Sequence, residues 1–200
     1  SVGSGGDRDL AEGPTVLNHN SWVSLAPYYE QGALYDAYDF TQAACIYTRN
    51  TSRPVAGDPT VNGNAAVVTQ SPPVFQCPSD TYDIRLKAWA SNSWYNLGAT
   101  TERAVKTNYD FSAYRTVWDF DWWPRLTDMR YKYMFSTNSA SSIADVLDGT
   151  SNTVAVNETS KRVIDGDGQA WGIRGWIHTG VDISLGINQW DYPVLGSWYT

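Results

Sequence analysis

The middle of the chain alternates aromatic with polar residues, in KTNYDFSAY (106–114) and again in MRYKYMF (129–135), a period of two that fits strands. In the second run Met129, Tyr131, Tyr133 and Phe135 share one side. Aromatics make up 14% of the residues, ten of them tryptophan, against 18% charged, so the chain relies on aromatic packing more than on ion pairs. That balance favours a sheet-rich domain. Two hundred residues suffice for one domain with a real core, residues 19–200, preceded by a Gly/Ser/acid-rich flexible segment, residues 1–18.

Helical signals are short. Between residues 18 and 40, Trp22, Leu25, Ala26, Tyr29, Ala33 and Leu34 recur at spacings of three and four. Asn20 or Ser21 is placed to cap, and Pro27 divides the run into two short helices with a kink, the second ending near Gly32. Residues 46–72, with Pro54, Gly57, Pro59, Gly63 and Pro72, read as a long loop, and VFQCPSD (74–80) as a short strand stopped by Pro78. SASSIADVLDG (139–149) offers a serine cap, Ile143, Val146 and Leu147 at helical spacing, and Gly149 as a stop. A strand follows, with Val154 and Val156 directed at the core.

Several chemistries lack a basis in the residues. A net charge of -7 repels a phosphate backbone, which excludes nucleic acid as a natural partner. No apolar run reaches a membrane span, and the first residues lack the regions of a signal peptide. His19 and His178 have no ligand neighbours at zinc spacing, and the cysteines lack a C-x-x-C pair. Nucleophile-elbow and phosphate-loop motifs are missing.

Four sets of residues remain as candidates. The corner Asp148, Gly149, Thr150, Ser151 and Asn152, leading to Glu158, resembles a cation loop, but Thr153 stands where an EF-hand needs glycine and Thr159 where it needs an acid. Its reading is structural: glycine takes a positive φ, and Thr150, Ser151 and Asn152 bond back to open backbone groups. Asp165 and Asp167 are the candidate metal ligands, with calcium as the ion. VWDFDWWP (117–124) sets Asp119 and Asp121 on one side of a strand about 7 Å apart, beside Trp118, Trp122 and Trp123. Glycoside hydrolysis uses such a carboxylate pair with aromatic platforms, and a glycan-binding module uses the platforms alone; exposed acids alternating with core aromatics are the plainer reading. Cys45 and Cys77 either form a disulfide, contributing about 3 to 4 kcal/mol in the chain-entropy picture, or remain two buried thiols. Two sequon-type triplets begin at Asn50 and Asn157.

The blocks HNSWVSLAPYYEQGALYDAYDF, FQCPSD, KTNY and IADVLDGTSNTVAVNE resemble, in the same order, those of a large planctomycete family of unknown function whose members look like pseudopilins. The resemblance runs from about His19 to Glu158 and continues loosely to the end. It implies a prepilin-type leader and hydrophobic N-terminal helix, an antiparallel sheet packed on that helix, and export to the envelope or cell surface. This sequence departs from the pattern at both ends. The apolar helix is absent and, in place of an H-x9-D-G block, His178 is followed by Asn188 and Gln189, which implies a processed or truncated form.

These readings combine into an α+β domain, mainly an antiparallel sheet with a few short helices, from an exported, extracytoplasmic protein. It is expected to act through protein partners or self-assembly, without catalysis or a cofactor, and to meet a membrane only through the missing helix. The alternative is a carbohydrate-binding module or glycoside hydrolase built on the Asp119/Asp121 region, with glycan as the partner.

Overall fold

Asn20 starts the first helix as its sequence predicts, its side-chain oxygen accepting the Trp22 N–H at 3.1 Å. Helix α1 (Ser21–Ser24) passes into a 3-10 turn, Ala26–Tyr29, where Pro27 sits in the first turn. Glu30 reverses the chain with φ 64°, and α2 (Gly32–Asp36) follows. The division at Pro27 is as expected, but the run makes three pieces where two were expected, and Gly32 begins the third. The computed structural model describes residues 15–46, 54–86, 97–98, 103–113, 133–135, 139, 141–161 and 170–173.

The packed chain begins earlier than the sequence indicated. Val16 is buried and bridges Val55 in parallel, with its N–H on the Pro54 carbonyl at 2.9 Å. The stretch expected to be a long loop holds a third helix, α3 (Asn64–Val68), entered through Gly63 at φ 90°. The Asn64 side chain ties it down: Oδ1 accepts the Asp39 N–H at 2.8 Å, and Nδ2 reaches the carbonyls of Asp39, Gln42 and Ala43 at 2.9 to 3.2 Å. These bonds pin the long connection to the end of the α2 region.

Residues 73–75 form a 3-10 turn instead of the expected strand. Pro72 and Pro73 fix φ and cannot donate to a ladder, and the Phe75 N–H closes back on the Pro72 carbonyl at 3.1 Å. The strand expected in KTNYDFSAY is present as β1 (Tyr109–Phe111), and the one after the corner as β2 (Val156–Glu158). They pair antiparallel with Tyr109 opposite Glu158, Asp110 opposite Asn157 and Phe111 opposite Val156. On the far side of β1, Ala113 bridges Phe135. The described residues thus form an α+β fold with antiparallel pairing and short helices.

Aromatic rings fill the centre. Trp171, Phe75, Leu86, Leu97, Val105 and Ile173 are fully buried. Trp22 stacks on Phe111 at 4.4 Å between ring centroids, and Phe75 stacks on Trp171 at 5.8 Å. Trp171 also donates its indole N–H to the Gln70 carbonyl at 2.9 Å, so its polar end is satisfied inside the core. Helix α1 is fastened to the same region by Asn20 Nδ2 on the Ala170 carbonyl at 3.0 Å.

Candidate functional site

Asn108 stands where the block segments meet. Its N–H donates to the Phe75 carbonyl at 2.8 Å, its Oδ1 accepts the Cys77 N–H at 2.9 Å, and its Nδ2 reaches Asp80 Oδ2 at 2.6 Å and the Thr159 carbonyl at 2.9 Å. Asp80 Oδ2 also accepts the Lys161 N–H at 2.6 Å, and Oδ1 accepts the Tyr82 N–H at 3.1 Å. Desolvation pushes the Asp80 carboxyl up, but the Lys161 N–H, the Asn108 amide and the Tyr82 N–H outweigh it, and the net shift is downward. Next to this knot, Lys161 Nζ donates to Gln76 Oε1 at 3.3 Å, Gln76 Nε2 to the Lys106 carbonyl at 2.9 Å, and Lys106 Nζ to the Lys161 carbonyl at 3.2 Å. Both lysines are buried, and both amines are spent on holding protein atoms.

Asp110, two residues beyond Asn108, is fully buried, whereas Asp80 is half-buried. It is 1% exposed, and burial pushes its carboxyl up to about 7, against the pull of the Phe111 N–H, which donates to Oδ1 at 2.8 Å. The Trp22 indole N–H faces the same carboxyl and favours its charged form, yet stands outside hydrogen-bonding geometry. The Asn157 amide, on the residue directly across the ladder, is likewise a buried donor without an acceptor.

Polar groups of the corner turn onto their own backbone. Ser142 and Asp145 form a reciprocal capping box around the 3-10 turn Ile143–Asp145, and Gly149 follows at φ 83° with an extended ψ of 144°. A second 3-10 turn, Thr150–Asn152, is held by Asn152 Nδ2 on the Asp148 carbonyl at 2.8 Å and by Thr153 Oγ1 on the Gly149 carbonyl at 3.2 Å. Back-bonding therefore comes from Asn152 and Thr153. The helix expected over 139–147 is reduced to the Ile143–Asp145 turn. Two of its three apolar residues find no core: Ile143 is 73% exposed and Leu147 84%, while Val146 is half-buried.

The same is true of the strand that follows. Val154 (46% exposed) and Val156 (40%) face solvent, contrary to the core placement expected from their alternation. The half-buried position of β2 is Asn157, which lies across from Asp110. Glu158 is exposed opposite Tyr109.

The Cys45–Cys77 disulfide expected as one alternative is not formed. Cys45 carries a thiol buried in the core, whereas Cys77 sits in the CPSD turn with Sγ 3.0 Å from Ser79 Oγ. The two are built into different surroundings: the Cys45 carbonyl accepts from Asn18 Nδ2 at 3.0 Å, whereas the Cys77 N–H is held by Asn108. Trp118, Asp119, Asp121, Trp122, Trp123, Asp165, Asp167 and His178 lie outside the described residues. Of the described tryptophans, Trp171 is buried and Trp22 packs against the core. His19 places Nε2 2.7 Å from the Gln42 carbonyl and packs edge-on to Tyr38. Among the described residues no group of three or more His, Cys, Asp or Glu side chains is arranged to hold a metal ion, and no helix is long and apolar enough to cross a membrane.

In the sequence Asp80 reads only as a turn residue after Pro78, Asn108 and Asp110 read only as members of the KTNYDFSAY strand, and nothing marks Asn64. A signal was present for Asn108: a carboxamide next to a strand aromatic, with four hydrogen-bonding sites to satisfy if turned inward.

Fold and site together define a small α+β domain whose segments are locked by buried side-chain amides and whose apolar corner is left in solvent. The chain belongs to the family described as a protein of unknown function (DUF1559), whose model matches residues 2–193. No curated protein and no solved structure matches it.

Proposed function

We propose that this chain is the globular head of an exported, pseudopilin-like structural protein that works by assembly or by contact with protein partners at the cell envelope, with no catalytic step. The observation that carries the reading is the corner, where Ile143, Leu147, Val154 and Val156 stand in solvent while the Asn152 and Thr153 side chains between them are occupied with local backbone. Single exposed aliphatics are ordinary, but several in one short stretch mark a surface that gains from being covered. Two acids support the same reading from the other side, since half-buried Asp80 and buried Asp110 both accept hydrogen bonds from protein groups.

A photo-cross-linker in place of Leu147, in the full-length protein in intact cells, tests this. Adducts with protein in the envelope fraction are expected, and none from the same group in place of buried Val105. A chain that fractionates with the cytosol and forms no adduct from Leu147 would overturn the proposal.

A further inference from the structure

We infer that the outer edge of β2 pairs with β2 of a second copy about a two-fold axis at Val156, joining two domains through one continuous sheet. This deepens the assembly reading above and rests on it.

Register decides which backbone groups face outward. The Ser112 N–H donates to the Ala155 carbonyl at 2.8 Å and the Thr159 N–H to the Asn108 carbonyl at 2.6 Å, with Asp110 opposite Asn157 between them. In an antiparallel ladder hydrogen-bonded and non-bonded pairs alternate, so Ala155, Asn157 and Thr159 direct their backbone groups to the β1 side. Val154, Val156 and Glu158 therefore direct theirs away from it. Among the described residues no backbone hydrogen bond is made there, and β2 is the end strand of a two-stranded sheet. Proline, lysine and bulges, the usual guards of a strand edge, do not occur between Val154 and Glu158.

The arrangement is self-complementary. Antiparallel pairing centred on Val156 sets Val156 against its own copy and Val154 against Glu158 of the other chain, so each outward residue gains a partner with which it exchanges two hydrogen bonds. Charge fits the same register. Each chain carries -7 overall, and this pairing keeps the two Glu158 carboxylates apart, each opposite a valine. The valines at the axis form the β-branched cross-strand contact that stabilises sheets. Because two acidic chains repel, association should strengthen with salt.

The experiment measures the mass of the full chain by light scattering, from micromolar to millimolar concentration, at low and high salt. Twice the 22.2 kDa of one chain is expected, favoured by salt. Val156→Pro removes an N–H that the β1 pairing does not use, and Val156→Lys puts like charges at the axis; each is expected to return the single-chain mass with the near-ultraviolet spectrum of buried Trp171 intact. In Val156→Cys the paired positions lie about 5.5 Å apart, within disulfide reach, so a reducible covalent dimer missing from the parent protein is expected. If the proline variant does not fold, the lysine and cysteine variants decide. A single-chain mass throughout overturns the pairing and leaves the edge to a strand of another protein. A dimer indifferent to both substitutions, with no new cross-link, also overturns it but leaves assembly through another surface standing.

Discussion

The Asn108 amide nitrogen lies 2.6 Å from the Asp80 carboxylate, and through that contact three separate stretches of chain are made into one body. Asn108 also receives the Cys77 N–H and donates to the Thr159 carbonyl, while Asp80 receives the Lys161 N–H. Removing either side chain leaves buried backbone groups with nothing to bond. Asn108→Ala is expected to destabilise by about 2 to 4 kcal/mol. In a double-mutant cycle with Asp80→Ala, measured by urea unfolding, the two losses should fall short of adding.

Between pH 4 and 7 acidity enters through two groups that act in opposite directions. The folded Asp110 carboxyl titrates near 7, above its ordinary value of 3.8, so the stability it contributes as a protonated acid is complete below pH 4 and is lost as pH rises through 7. Burial, against the Gln42 hydrogen bond, lowers the His19 imidazole below 6.5, so stability from the neutral ring is present above that value and lost as pH falls. Asp110→Asn is expected to raise the melting temperature at pH 7 and to flatten the slope between pH 4 and 7, with an effect on the order of a few kcal/mol. What remains between pH 4 and 7 should be the His19 limb, with stability falling below pH 6.5, and Asp80 adds its own loss below pH 4. Thermal unfolding across pH checks both.

Two glycines are required for different reasons. At Gly149 a Cβ meets nothing within 4 Å, but φ is 83°, so Gly149→Ala should cost about 1 to 3 kcal/mol through backbone strain alone. At Gly172 a Cβ would lie 2.9 Å from Val68 Cβ and 3.3 Å from its Cα. Gly172→Ala therefore has to move α3, whereas pairing it with Val68→Ala should recover part of the loss. Urea midpoints of the three variants separate strain from crowding.

The cysteines predict a simple chemical result. Native protein treated with iodoacetamide should be labelled at Cys77 alone, and at Cys45 as well once unfolded. Reductant should leave the unfolding midpoint where it was. Mass spectrometry of the labelled peptides gives the answer directly.

How much of this is legible in the sequence differs from element to element. The Asn20 cap, the Pro27 kink and the glycine turn at Gly149 are local devices, and each is readable because a few neighbouring residues determine it. Helix α3 is not, because NAAVV is almost entirely buried and shows no polar face from which a period could be read. Alternation locates β1 and β2 but does not say which face meets the core. Thr107, Asn108, Asp110 and Ser112 are all buried, whereas Val154 and Val156 are outside. Polarity was thus a poor guide wherever a side chain had a partner far along the chain, as Asn108 has in Thr159. The Asp119 and Trp123 region lies outside the described residues.

One further consequence lies in the cap of α1. Asn20 donates to Ala170, 150 positions later, and Gln70 receives the indole of Trp171 across 101 positions. Loops this long close late, so a nascent chain can seat Trp22 on Phe75 and Phe111 before it can close the Asn20 anchor, which waits for residue 170 to emerge. Folding is therefore expected to be completed only once residues 170–171 have emerged, and a ribosome-bound fragment ending before residue 170 should be more sensitive to protease than one that includes them.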